Sequence, residues 1–318
     1  MHNEIEQAVK ELRQGQLVII PTETVYGLAA DASNEVAIKK IFALKNRPHF
    51  NPLISHYADI AEIEKDVYVD ARAQKILKHL SPGPITLVLK KKDSSRISAL
   101  ATAGLDTAAV RIPRHKTTLE ILRKFQGPIA APSANLSTQL SPTKVEHAQK
   151  AFAGKVNLII DGDASSEGLE STILDLTSSK AIILRFGTYT SQEIENVLEE
   201  KIFLHDNKGE IKAPGMLLKH YSPAKSKLRM STDSAQENEA LLAFGVDDIP
   251  TGFSEILNLS PSKDLAQAAK NLFSYIHHLE EKGFSSIAVM PIPNEGIGIA
   301  INDKLKRAST QSPEAKIC

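Results

Sequence analysis

The chain has a single cysteine, and it is the last residue, Cys318. That excludes an internal disulfide and any metal site built from several cysteines. An excess of charge of either sign is also missing, because 38 Lys and Arg balance 38 Asp and Glu. A protein held on nucleic acid by bulk positive charge is therefore not expected, although a local basic patch stays open. No apolar run approaches the length that spans a bilayer. The opening MHNEIEQAVKELRQG is charged and lacks the apolar stretch of a secretory signal. The expectation is a cytoplasmic protein with no membrane partner. There is no G-x-x-x-x-G-K-[ST], so a bound nucleotide would not sit on a P-loop. Neither H-E-x-x-H nor G-x-S-x-G occurs, which argues against zinc hydrolases and α/β-hydrolases. Gly296-Ile297-Gly298 lacks a third glycine at the required spacing and reads as a turn entering a helix. Asp161 and Asp163 could bind magnesium, but the favoured reading is a strand-end turn, and no metal site is expected in the protein itself.

What is present is a chain of 318 residues, 42% apolar and 24% charged, enough for two domains with sizeable cores. Residues 1–203 alternate strands and helices. Leu17–Ile20 is a short apolar strand, and Pro21 ends it by removing a ladder donor. Thr22, Glu23, Thr24, Tyr26 and Gly27 follow at its C-terminal end, where open α/β sheets bind ligands; the alternative is a plain strand-to-helix turn with capping threonines. Further strands are expected at Leu53–Ser55, Ile85–Leu89, Ala108–Ile112, Ile129–Ala131, Leu158–Ile160, Ile173–Leu176 and Ile182–Leu184. Helices are expected around Ile5–Leu12, after Asn34, over Asp70–Leu80, and from Ser141-Pro142-Thr143 with proline at the first position. Some strands are too close for helical crossovers, so the sheet should be mixed. Residues 204–227 have few core-type residues and read as an interdomain linker. Residues 228–318 place a strand near Leu241, a long helix capped by Asp264, a strand at Ile287–Met290 and a last helix, the order of a small Rossmann-like α/β unit.

Arg111 lies inside an apolar strand, where an arginine is costly unless it pairs or faces a site, and Thr107 shares its face. With Lys45, Arg47, Arg185, Thr22, Thr24, Ser133, Ser141 and Ser171 it forms a set of cationic and hydroxyl residues at loop edges. Converged, such groups suit a small substrate carrying several phosphates. Taken singly, each suits a satisfied surface or capping position.

PTETVYGL, KNRP…NPLI, SPGPITLVL, TAAVRIP, APSAN and GLESTI occur in order, followed by KAPGMLLKHYSP. Together they resemble the YrdC-like family of L-threonylcarbamoyl-AMP synthases in its two-domain form. The resemblance covers essentially the whole chain. It implies an open, twisted mixed sheet with a concave active face. It also implies a reaction in which L-threonine, bicarbonate and ATP give threonylcarbamoyl-adenylate and pyrophosphate. The product would serve threonylcarbamoyl modification of adenosine 37 in tRNAs reading ANN codons, with tRNA or a tRNA-modifying protein as a transient partner. Carried over by position, Lys45 and Arg47 would be catalytic. Arg47, Asn51, Thr107, Ser133, Ser141, Arg185 and Tyr221 would hold ATP. Thr24, His56, Arg111, Ala131 through its backbone, and Ser171 would hold L-threonine. Mg²⁺ would arrive with the triphosphate, and the linker would fold over the site as a lid. Phe186 stands where the family often has Pro.

Two other readings stay open. One is a non-catalytic RNA-binding module, using Lys90, Lys91, Lys92, Arg96, Arg114 and Lys116; the balanced charge and the lack of an aromatic stacking motif count against it. The other is a carbamoyl-transfer module like that in hydrogenase maturation proteins, which would need carbamoyl phosphate.

Overall fold

The structure, a computed structural model, describes residues 2–205, 212–214, 216 and 220–309. Cys318 and residues 206–211, 215 and 217–219 of the expected linker lie outside the described residues. Helix α1 (His2–Arg13) leads to β1 (Val18–Ile20), β2 (Gly27–Asp31), α2 (Glu35–Lys45), β3 (Ile54–His56), α3 (Ile60–Glu64) and α4 (Ala71–Leu80). Then come β4 (Ile85–Lys90), β5 (Thr107–Arg111), α5 (Lys116–Phe125), β6 (Ile129–Ala130), α6 (Val145–Phe152) and β7 (Leu158–Ile159). Strands β8 (Thr172–Asp175) and β9 (Ala181–Arg185), helix α7 (Ser191–Leu198) and β10 (Ile202–Leu204) follow. The C-terminal part holds β11 (Lys227–Arg229), β12 (Glu239–Ala243), β13 (Glu255–Asn258), α8 (Leu265–Glu281), β14 (Ser286–Val289) and α9 (Gly298–Ser309).

Chain contacts separate two compact units, 1–136 with 142–216, and 137–141 with the residues after 216. The first unit carries a ten-stranded sheet in the order β10-β9-β8-β4-β5-β3-β6-β2-β1-β7. It is mixed, as expected: β3 runs parallel to β5 and β4 to β8, while β4–β5 and β8–β9 are antiparallel. The second unit carries a four-stranded, all-parallel sheet, β11-β14-β12-β13, in keeping with a Rossmann-like α/β unit.

Alternation along the strands divides the first sheet's apolar residues between two faces. One face holds the main core, with Leu28, Ala30, Leu87, Val110 and Leu174 against Ile38, Ile41, Ile76 and Ile194 of α2, α4 and α7. On the other, Val18, Ile20, Ala29 and Ile129 pack with Ile5, Leu12, Ile121 and Leu122 of α1 and α5. The rest of that second face carries only a small cluster, Ile54, Val88, Ala109, Ile173 and Leu184. The site lies on this sparsely covered half.

The caps at Asn34 and Asp264 form as expected, and Asp70, expected inside its helix, caps it instead, each side chain accepting backbone N–H groups of the first turn. Two expectations fail. Gly27–Asp31 is a strand antiparallel to β1, so residues 21–26 are a hairpin loop and not a strand-to-helix turn. No helix starts at Ser141-Pro142-Thr143. Helix α6 begins at Val145, and the Pro142 carbonyl instead accepts the Tyr26 N–H at 2.8 Å. Helices α3, α5 and α7 were not legible, because their stripes are short and flanked by polar residues. Gly298 opens α9 where a Cβ would lie 2.1 Å from the Pro293 carbonyl oxygen, so the glycine serves a helix-entry turn.

Candidate active site

The centre of the site is Arg111, the last residue of β5, almost wholly buried. Its Nε donates to the Gly83 carbonyl at 3.2 Å, Nη1 to Thr24 Oγ1 at 3.0 Å and Nη2 to Glu23 Oε1 at 2.7 Å. The hairpin loop is shaped to deliver these partners. Thr22 Oγ1 accepts the N–H groups of Thr24 and Val25, and Thr22 and Thr24 share a hydrogen bond at 2.8 Å. Burial pushes the Glu23 carboxyl up, but the charge and hydrogen bond of Arg111, with nearby backbone N–H groups, outweigh it and hold the group below the usual carboxylate range. Glu23 is therefore ionised, yet its Oε2 is buried without a hydrogen-bond partner. Glu23 lies in the loop expected at a ligand edge but was given no role of its own there. The signal was present: a buried arginine needs an anion, and PTETVYG contains one carboxylate.

His56 ends β3 in register with Arg111 on the neighbouring strand, so both side chains emerge on the same face. Burial, then the adjacent Arg111 charge, push its pKa down to about 3, so the imidazole is neutral. Its Nδ1 is buried without a partner. Two strands further from β5, Ser171 precedes β8 and Arg185 ends β9. Arg185 Nε donates to the Ser171 carbonyl at 3.1 Å and Nη2 to Ser171 Oγ at 3.0 Å, and Ser171 Oγ also bonds Thr86 Oγ1 at 2.7 Å. Gly187 allows this packing, since a Cβ there would lie 2.3 Å from the Thr172 nitrogen. Phe186 packs against the main core, which accounts for an apolar ring where the family often has Pro.

A second group gathers toward the opposite ends of these strands. Thr107 starts β5, four residues before Arg111, about 13 Å along the strand. Arg47 donates through Nε to the Asn51 carbonyl at 3.0 Å and through Nη2 to the Pro52 carbonyl at 2.8 Å. Asn51 Oδ1 is buried without a partner. Lys45 Nζ donates to the Ser133 carbonyl at 2.6 Å, the Asn135 carbonyl and Asn135 Oδ1 at 3.3 Å. Burial, then Arg47, hold its pKa well below the usual lysine range. Ser133 Oγ donates to Asn135 Oδ1 at 2.5 Å, so Asn135, which was not expected, organises this turn. Ala131 lies between the groups; its N–H donates to the Ile54 carbonyl at 3.2 Å.

The structure thus brings Thr24, His56, Arg111, Ser171 and Arg185 toward one end of the sheet, and Lys45, Arg47, Asn51, Thr107 and Ser133 toward the other. Part of the expected linker covers the same face: Ala213 is fully buried in the cluster of Ile54, Val88, Ala109, Ile173 and Leu184, with Met216 against it. Ser141 and Tyr221 belong to the second unit. There the Ser141 carbonyl is 3.1 Å from His277 Nε2, and the Tyr221 ring lies 5.5 Å from that of Phe273, with Lys304 Nζ 5.1 Å from its centre. Among the described residues, no group of three or more His, Cys, Asp or Glu side chains converges. The basic patch of the RNA-binding reading is partly neutralised. Arg96 is bound by Asp66 and Glu62, and Arg114 by Glu167.

Two family models match the chain: one described as "Telomere recombination", the Sua5/YciO/YrdC model, over residues 10–187, and one described as "Threonylcarbamoyl-AMP synthase, C-terminal domain" over 189–310. The threonylcarbamoyl-AMP synthase of Pyrococcus abyssi is 36% identical over 94% of this chain and 92% of its own length. That of Bacillus subtilis is 34% identical over 96% and 93%. A crystal structure of P. abyssi Sua5 complexed with L-threonine superposes with a TM-score of 0.87, at 34% identity, over 96% of this chain and 94% of that one.

Proposed function

Because the chain belongs to the Sua5/YciO/YrdC family in its threonylcarbamoyl-AMP synthase form, we propose that it makes L-threonylcarbamoyl-AMP and pyrophosphate from L-threonine, bicarbonate and ATP. The product would be used for threonylcarbamoyl modification of adenosine 37 in tRNA. The observation that carries this reading is the near-full-length likeness to a threonine-bound relative, joined to a site whose two polar ends lie about 13 Å apart along one strand. That span suits an amino acid at one end and a nucleotide at the other.

The chemistry is an attack by one anion on another. Threonine's amine and bicarbonate give a carbamate and water. A carbamate oxygen then bonds to the α-phosphorus as the bond to pyrophosphate breaks. The barrier is charge repulsion and orientation, so the protein's task is to position both anions and supply positive charge. Arg111, with Thr24 and Ser171, receives threonine. Arg47, Asn51, Thr107 and Ser133 receive the nucleotide. Lys45 works through the turn it holds, since its three N–H donors already reach Ser133 and Asn135 oxygens. Arg185, expected at the nucleotide, lies beside Ser171 and so brings a second guanidinium to the threonine end. Mg²⁺ comes with the triphosphate as part of the substrate. The segment around Ala213 excludes water from the labile mixed anhydride.

The test is pyrophosphate release that requires threonine, bicarbonate and ATP together with no RNA present, with mass detection of the adenylate. Arg47→Ala should lower that turnover about 10- to 150-fold, the worth of one charge-assisted hydrogen bond, and leave the fold intact. ATP consumption indifferent to threonine, or a requirement for carbamoyl phosphate, overturns the assignment.

A further inference from the structure

The pocket around Arg111 holds buried polar atoms that the fold itself does not satisfy. A guanidinium has five N–H donors. Three are placed on Gly83, Thr24 and Glu23, which leaves two. Beside them Glu23 Oε2 is an anionic acceptor with no partner, and His56 Nδ1 is a second unpartnered nitrogen. Both residues are more than nine-tenths buried. Buried polar atoms are nearly always bonded, and exceptions in a native fold call for a specific explanation. Charge narrows the explanation. An arginine alone would accept any small carboxylate. Paired with an ionised Glu23, it forms a neutral pair, so a carboxylate seated on Arg111 would also lie beside the Glu23 charge. A zwitterion sets its own ammonium against that charge and supplies the donors that Glu23 and His56 lack.

We propose that Glu23 is a specificity-determining residue of the amino-acid pocket: Arg111 takes the α-carboxylate on its two remaining N–H groups, and Glu23 Oε2 takes the α-ammonium. The pocket thereby selects free α-amino acids over simple hydroxy acids. This rests on the threonine reading above and assigns its amine end.

The experiment is calorimetric titration of the full-length protein with L-threonine and with 3-hydroxybutanoate, which is threonine without its amino group. Wild type should bind threonine roughly 10- to 150-fold more tightly than 3-hydroxybutanoate, the worth of one hydrogen bond to a charged group. Glu23→Gln keeps an oxygen for Arg111 and removes the charge. It should lose most of that preference by weakening threonine while binding 3-hydroxybutanoate at least as tightly as wild type does, because the repelling charge is gone. An equal loss for both ligands would make Glu23 a mere support for Arg111 and overturn the proposal. So would equal affinity of the wild type for the two ligands, a result that needs no variant to fold. If wild type binds no threonine at all, the reading beneath fails first; if it binds threonine and the preference survives Glu23→Gln, only the role of Glu23 fails.

Discussion

Each unit pairs an arginine with a buried carboxylate, and the two pairs differ in what surrounds them. In the second unit, Arg229 reaches Glu239 through Nε at 3.0 Å and Nη2 at 2.7 Å. Glu239 also accepts the Gln236 N–H and the Ser286 hydroxyl, each at 2.8 Å. In the first unit, Glu23 gives one oxygen to Arg111 and leaves the other without a partner. Burial pushes both carboxyls up, and in both the paired arginine, together with further hydrogen bonds, more than reverses it. The ionisation states are alike, but only one pair is closed. A closed pair ties loops and strands together. An open one keeps buried hydrogen-bonding capacity available to a ligand.

The comparison can be broken in four places. The largest expected effect is on the closed pair. Arg229→Ala leaves Glu239 buried without its cation and should cost about 2 to 4 kcal/mol of stability, somewhat below a fully enclosed pair because Arg229 is 22% exposed. Urea unfolding measures this, and threonine affinity of the folded fraction should not change. Next, Arg111→Lys keeps the charge but loses the fork. Threonine-dependent turnover should fall about 10- to 150-fold, and near-normal turnover would remove Arg111 from the site.

Third, His56 tests the open side through pH. Its folded pKa of about 3 lies below the ordinary 6.5, so the unfolded chain takes up the proton first and stability falls as the solution is acidified between those values. At pH 5 the loss from this one group is about 2 kcal/mol. Chemical unfolding of His56→Gln at pH 7.5 and pH 5 should show a difference smaller than wild type by about that amount; identical slopes would mean the imidazole is not buried neutral. Glu23 and Glu239 have lowered pKa values, so their contributions are full above the ordinary carboxylate pKa and are lost progressively as the pH falls from there toward the lowered folded values. The smallest effect is expected from Thr24→Ala, which removes one neutral hydroxyl from Arg111. Threonine affinity should weaken by about 0.5 to 1.5 kcal/mol, and a much larger loss would give Thr24 a role beyond that single hydrogen bond.

Much of the fold could be read in one dimension because its signals are local. Asn34, Asp70 and Asp264 cap helices through atoms two or three residues away. The strands Ile85–Lys90 and Thr107–Arg111 show as apolar runs bounded by turn residues. Gly27–Asp31 was hidden because its small residues, Gly-Leu-Ala-Ala, carry little strand preference, and only pairing with β1 and β6 makes them a strand. Ser141-Pro142-Thr143 carries a strong local helix signal, yet the Pro142 carbonyl binds Tyr26 instead, a tertiary bond that no window of sequence contains.

The site divides in the same way. The amino-acid sequence alone determined that Arg111 needs a partner or a ligand, because a guanidinium within an apolar run has no other cheap solution. It also determined which hydroxyls and cations end the strands, through the order of its motifs. Only the tertiary structure decided that Glu23 is the anion, that Lys45 is committed to the Ser133–Asn135 turn, and that His56 is neutral. Those outcomes depend on strand register, on a loop folding across 88 positions of chain to reach Arg111, and on burial, and all three are set by which segments meet in space.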